Sequence, residues 1–164
     1  MNILTLDIAT KMGVCNIVDN SLLAFTIEDK SGIVGLQSRA LYPYIVREQI
    51  IGIENWNAFN NPNPATSARL AKRIGFYEHD MALGHYDGDI DFHLLHAGTV
   101  RKKMGINTGQ KVKIQIRDKI RELTGLLYSD DETDAIAMAL YLAGHDNYES
   151  ILKYEFSRGK KVIT

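Results

Sequence analysis

Short apolar runs separated by polar turns make up the first third of the chain. Residues 2–8 and 49–54 are almost continuously apolar, whereas residues 13–19 and 22–27 alternate between apolar and polar positions. Continuous short runs are typical of fully buried strands, and alternation is typical of half-buried ones. The polar residues 19–21 predict a hairpin between the second and third strands.

Helical spacing of apolar residues dominates the rest of the chain. It predicts helices over residues 32–47, 65–83, 110–124 and 130–144. Pro43 is expected to bend or end the first of these helices. Ser129 and Glu132 form a capping-box pattern at the start of the last one, and Gly125 suits the end of the helix before it. A short strand is expected over residues 91–96.

The order of these elements predicts the fold class. Three strands followed by alternating helices and strands indicate an α/β protein with a mixed β-sheet flanked by α-helices. The length of 164 residues and a hydrophobic content of 45% suit one domain over residues 1–164, in which residues 145–164 would form a C-terminal helix or tail.

Composition narrows the setting in which the chain works. It has no apolar run of eighteen residues, so we expect no transmembrane helix and no membrane partner. Asp7 interrupts the first apolar stretch, which is therefore not expected to be a signal peptide. A lone cysteine, Cys15, allows no internal disulfide and favours a reducing, cytoplasmic compartment.

Four carboxylates stand at positions where acids are unusual. Asp7 and Glu54 end two apolar strands, and Asp131 and Asp134 are three residues apart on the last predicted helix. An acid at the end of a buried strand is unfavourable without a partner. If the first and fourth strands pair in parallel, these acids meet, and such a group suits a hard cation such as Mg²⁺. Acids in a first helical turn also stabilise the helix dipole, which taken alone favours a structural role for Asp131.

Positive charge is concentrated in residues 101–121, although the net charge of the chain is only −1. This segment holds eight basic side chains and one acid, an excess of seven positive charges. Basic helices are usually just solvated surfaces. Beside a group of acids, however, this excess favours contacts with several nucleic-acid phosphates.

The order of these motifs resembles the RuvC-type Holliday junction resolvases of the ribonuclease H-like superfamily, and in particular their phage-encoded branch. The matching features are an Asp that ends the first strand, a Glu that ends the fourth, and the Asp-x-x-Asp-Ala-Ile-Ala pattern over residues 131–137. Further matches are the segments 63–68, 100–105 and 109–113. The resemblance covers roughly residues 1–144, and in place of the aromatic residue that follows the glutamate in the family the chain offers Trp56 and Phe59.

This resemblance implies a ribonuclease H-like fold, a homodimer and hydrolysis of four-way branched DNA. It implies that two Mg²⁺ ions, or Mn²⁺ in their place, are held by Asp7, Glu54, Asp131 and Asp134. By the chemistry of two-ion sites, Asp7 would bridge the ions, Glu54 and Asp134 would each bind one, and Asp131 would complete a shell or position water. DNA phosphates would be contacted by Arg101, Lys102, Lys103, Lys111 and Lys113, with Lys11 and Arg117 as further candidates. A phage enzyme would act in the cytoplasm of a bacterial host.

Other functions fit parts of the pattern. Another ribonuclease H-like nuclease could act on flaps, other branched DNA or RNA–DNA hybrids, and a binding module could hold branched DNA without cutting it. A sugar-kinase or actin-like phosphate binder also ends its first strand in Asp, but the chain is too short for that two-lobed fold.

Overall fold

A six-stranded mixed sheet organises the molecule. The computed structural model describes residues 1–9, 11–31, 34–55, 63–82, 90–106 and 111–163. The strands are β1 (Asn2–Asp7), β2 (Lys11–Val18), β3 (Ser21–Asp29), β4 (Gln49–Glu54), β5 (Ile90–Leu95) and β6 (Glu155–Ile163). Their order across the sheet is β5-β4-β1-β2-β3-β6. β1, β2 and β3 form an antiparallel meander, whereas β4, β5 and β6 join in parallel to β1, β4 and β3.

Helices cover both faces of the sheet. They are α1 (Val34–Leu41), α2 (Pro64–Ala82), α3 (Ala97–Lys103), α4 (Val112–Thr124) and α5 (Asp130–Leu142). The largest apolar cluster lies where α3, α4 and α5 pack on one face, and a second lies on the face that carries α1 and α2. Within the described residues, no helix is both long enough and apolar enough to span a membrane.

The alternation of side chains along β1 decides which residues face α5. Ile3 belongs to the α5 core, and the Thr5 hydroxyl donates a hydrogen bond to the Ala135 carbonyl of α5 at 2.6 Å. Leu4 and Leu6 belong to the opposite core. Because successive residues of a strand point to opposite faces, Asp7 lies on the α5 side.

A glycine lets α5 approach the sheet closely. Gly13 of β2 pairs directly with Asp7 of β1. A Cβ atom at Gly13 would lie 2.0 Å from the backbone oxygen of Asp131, far inside van der Waals contact. The absence of a side chain at this position therefore allows the first turn of α5 to lie against the strand beside Asp7.

Most of the expected elements are present, including the parallel pairing of β1 with β4, but two expectations need correction and one helix was not expected. The helix expected over 32–47 ends at Leu41, where a 3₁₀ turn over Tyr42–Tyr44 accommodates Pro43. Helix α3 was not anticipated. Residues 145–164 were expected to be a helix or tail, yet they hold a 3₁₀ helix (Tyr148–Lys153) followed by strand β6. The free edge of β3 supplies the backbone hydrogen bonds that make this segment a strand.

Candidate metal centre and nucleic-acid interface

Two of the four predicted acids lie side by side at the carboxyl end of the central strands. The parallel register pairs Leu6 of β1 with Ile53 of β4, so Asp7 and Glu54 follow as neighbours on the same face. Asp7 is buried, with only 7% of its surface exposed, and Glu54 is half-buried. Both side chains face the start of α5.

The other two acids enter from the first turns of α5. Ser129 caps this helix by accepting a hydrogen bond from the Glu132 backbone, and the Glu132 side chain accepts one from the Ser129 backbone. This predicted capping box fixes where the helix begins. Asp131 is half-buried and Asp134 is buried, both on the side of α5 that meets β1 and β4.

The electrostatics link Asp7 to each of the other three acids. Burial raises the pKa of Asp7 well above its usual range, and Glu54 adds to this through its charge and a hydrogen bond between the two carboxyl groups. Asp134 and Asp131 raise the same pKa further through their charges. The structure therefore brings together the four residues that the sequence singled out, with Asp7 at their centre.

Basic side chains border this acid cluster (Asp7, Glu54, Asp131 and Asp134). Arg101 of α3 donates from one guanidinium nitrogen to both Asp134 oxygens at 3.1 Å, and the Lys113 ammonium lies 3.0 Å from Asp134 Oδ2. Burial raises the pKa of Asp131, while the nearby charges of Lys113 and Lys11 lower it. Three of the predicted phosphate contacts thus lie at the acids themselves.

The remaining predicted DNA contacts lie farther out on the same helices. Arg117 of α4 pairs with Asp130 at 3.4 Å, one residue before Asp131. Lys102 and Lys103 are exposed at the end of α3, and Lys111 is exposed just before α4. Together with Arg101 and Lys113 they form one basic surface that borders the acids.

The donor set fits a hard divalent cation. The four side chains offer only carboxylate oxygens, which Mg²⁺ and Mn²⁺ accept. The pKa of Asp7 is raised first by burial and then by the negative charges of its neighbours, which a cation would balance. Across the described ranges, no group of three or more histidine, cysteine, aspartate or glutamate side chains is arranged so that it could hold a metal ion. Asp134 pairs with Arg101 and Lys113 instead.

Sequence reasoning missed the partners that hold α5 in place. Glu132, which was seen only as half of a capping box, is fully buried and also accepts hydrogen bonds from Thr26 Oγ1 at 2.8 Å and Arg158 Nε at 3.1 Å. Arg158 lies in the segment 145–164, which was expected to be a C-terminal helix or tail. Residues 130–133 are three acids followed by a threonine. Nothing in this run indicates that Glu132 is the acid that points inward to β3 and β6.

Some sequence candidates fall outside the described residues. Trp56 and Phe59, considered as stacking aromatics, belong to these, as do Gly109 and Gln110 of the last matching motif.

Comparison with solved structures identifies the fold. The structure of Thermus thermophilus RuvC matches with a TM-score of 0.57 and 15% identity, covering 87% of this chain and 93% of that one. T. thermophilus RuvC in complex with a Holliday junction substrate matches with a TM-score of 0.55 and 14% identity over the same shares. No protein-family model matches the sequence, and no curated protein does. The chain therefore has the ribonuclease H-like α/β fold of these RuvC structures, a mixed six-stranded sheet flanked by helices.

Proposed function

We propose that this protein is a metal-dependent endonuclease that resolves four-way branched DNA by paired, symmetric phosphodiester hydrolysis. The observation that carries the proposal is the acid cluster, in which a buried Asp7 meets three further carboxylates beside a basic surface. Four acids that repel one another at the end of a sheet do not stabilise the fold, so a structural role does not explain them. The likeness to RuvC bound to a Holliday junction supports the choice of substrate.

The proposed chemistry divides between acids and bases. Two Mg²⁺ or Mn²⁺ ions, when bound, would lower the pKa of the attacking water and neutralise charge on the scissile phosphate. Asp7, Glu54, Asp131 and Asp134 would hold these ions. The basic surface would bind flanking phosphates and set the position of the DNA strand over the acids.

A homodimer follows from the substrate, because a four-way junction offers two symmetric strands for cutting. As part of the same proposal, the enzyme is phage-encoded and acts in the cytoplasm of its bacterial host.

Replacing Asp7 by Asn tests the proposal. The wild-type protein with Mg²⁺ should introduce paired nicks at symmetric positions in a four-way junction, and Asp7→Asn should reduce the rate by more than about a hundredfold while junction binding persists. Asp130→Asn is the matched control, because Asp130 lies beside Asp131 in the first turn of α5 but pairs with Arg117. Undiminished cleavage by Asp7→Asn would refute the proposed centre.

A comparison of three substrates separates junction resolution from related nuclease activities. A four-way junction, a flap and an RNA–DNA hybrid should be incubated with the same protein and ion. Faster cutting of the flap or the hybrid would assign the site to another ribonuclease H-like nuclease.

A second candidate function is a module that binds branched DNA without cutting it. The contacts of Arg101 and Lys113 with Asp134 favour it, because they neutralise an acid that the nuclease needs for its cation. Tight junction binding with no cleavage in either Mg²⁺ or Mn²⁺ would support this candidate against the nuclease.

A further inference from the structure

The contacts of Asp134 are the most unusual feature of the acid cluster. Asp134 has an 8% exposed side chain and meets two cationic groups, from α3 and from the first turn of α4. Both cations come from the basic surface proposed to bind DNA. One pair of side chains therefore faces two kinds of anion, an internal carboxylate and the phosphates of a substrate.

We propose that Arg101 and Lys113 act as a displaceable counter-ion for Asp134, which DNA phosphates draw away so that substrate binding strengthens divalent-cation binding. This inference rests on the proposed function and concerns how its site is regulated. Without DNA, the two cations neutralise Asp134 and compete with the metal ion. With DNA, the phosphates take over these cations and leave Asp134 free to become a ligand.

The exposure of Lys113 suits such an exchange. Its side chain is 51% exposed, so it can turn from Asp134 towards a phosphate without unpacking the core. Partial burial lowers the pKa of Lys113, but the negative charges of Asp134 and, more weakly, of Asp7 outweigh this effect. The pKa of Lys113 is therefore raised overall. Lys113 therefore interacts with both Asp134 and Asp7 rather than with a single partner.

The guanidinium group of Arg101 also lacks one hydrogen-bond partner in its present position. Its Nε–H is buried and has no hydrogen-bond partner among the described residues. A buried donor without a partner is unfavourable. A phosphate offers several acceptor oxygens to a guanidinium, so moving towards DNA would remove this deficit.

Thermodynamic linkage makes the proposal measurable. If DNA raises the affinity for the cation by some factor, the cation must raise the affinity for DNA by the same factor. Couplings between sites are commonly about fivefold or more. The expected factor for wild-type protein is therefore about fivefold in both directions.

The experiment measures Mn²⁺ binding by electron paramagnetic resonance of the free ion, with intact protein, with and without an unmodified four-way junction. The measurement is made in the cold, and gel electrophoresis of the same samples verifies that the junction stays uncut. DNA alone is titrated to subtract its own Mn²⁺ binding. Lys113→Gln should bind Mn²⁺ about three- to fivefold more tightly than wild type without DNA, because the competitor is gone. DNA should then strengthen its Mn²⁺ binding much less than in wild type.

Lys111→Gln is the matched control. Lys111 is an exposed lysine of the same basic surface, two residues earlier, and has no ion pair with Asp134 in the described structure. It should weaken DNA binding while leaving both the DNA-free Mn²⁺ affinity and the coupling factor at wild-type values. Equal behaviour of the two variants would overturn the proposal, as would a wild-type Mn²⁺ affinity that DNA does not change.

The result also separates this inference from the proposed function. Mn²⁺ binding that Asp7→Asn abolishes but Lys113→Gln does not alter would overturn only the counter-ion exchange. Absence of Mn²⁺ binding in wild type, with and without DNA, would overturn both.

Discussion

Two buried acids, Glu132 and Asp7, lie on opposite sides of the first turn of α5 and have opposite surroundings. On the side facing β3 and β6, Glu132 accepts hydrogen bonds from Thr26, Arg158 and the Ser129 backbone. On the side facing β1 and β4, Asp7 is surrounded by other carboxylates. Both acids are buried, so burial alone does not distinguish them.

The two sites differ in the sign of the charge that the neighbouring groups carry. The fold itself supplies Glu132 with a positively charged partner and with neutral hydrogen-bond donors. Glu132 therefore needs no further partner, and it holds α5, β3 and β6 together. Asp7 has negative neighbours, so the fold leaves a deficit of positive charge beside it. A buried acid with donors stabilises the structure, whereas a buried acid among acids indicates a cation from outside. Asp134 lies between these cases because Arg101 and Lys113 supply part of the missing charge.

The largest effect is expected from Gly13→Ala, which would disturb both sites together. The added Cβ would collide with the Asp131 backbone and push the first turn of α5 off the sheet. We expect a loss of about 3 kcal/mol in the free energy of unfolding, since backbone rather than a flexible side chain must move. Urea denaturation followed by circular dichroism measures this loss.

Gly75→Ala is the control for that substitution. Gly75 lies exposed within α2, and a Cβ there would meet no atom within 4 Å. Alanine should therefore stabilise the helix by about 0.5–1 kcal/mol. If both alanine variants changed stability equally, the close approach at Gly13 would not be what positions α5.

A smaller effect is expected from breaking the satisfied acid. Arg158→Met leaves the Glu132 carboxylate buried without its cation and should lower the free energy of unfolding by about 2 kcal/mol. The value lies below that of fully buried pairs because the Arg158 side chain is 44% exposed. Urea denaturation of this variant, Glu132→Gln and the double variant completes a mutant cycle.

The mutant cycle isolates the interaction free energy between Arg158 and Glu132 from the effects of their surroundings. The double variant should lose less stability than the sum of the single losses, because removing Arg158 matters only while Glu132 is charged. Strict additivity would mean that β6 does not anchor α5 through this contact.

The two sites also differ in how far the sequence predicted them. Asp7 and Glu54 could be predicted because each acid ends a strongly apolar strand, and a parallel pairing then makes them neighbours. Glu132 with Arg158 could not, since the contact depends on residues 155–163 joining β3, and their charged sequence has weak strand character. Arg101 with Asp134 was missed for a related reason, because the two residues are 33 positions apart and either could have faced solvent.

The smallest effect has the opposite sign and tests the unsatisfied acid. Because the pKa of Asp7 is raised in the folded protein, the ionised carboxylate destabilises the metal-free fold at any pH above the pKa of an unfolded aspartate. Asp7→Asn keeps the shape and removes the charge, so at pH 7 in EDTA it should raise the free energy of unfolding by about 1 kcal/mol. Asp118→Asn, at an exposed acid of α4, should change it by less than about 0.5 kcal/mol. Excess Mn²⁺ should then stabilise the wild-type protein but not Asp7→Asn, because a cation that binds only the folded state favours that state. A loss of stability in the metal-free Asp7→Asn variant would place Asp7 with Glu132 among acids that the fold already satisfies.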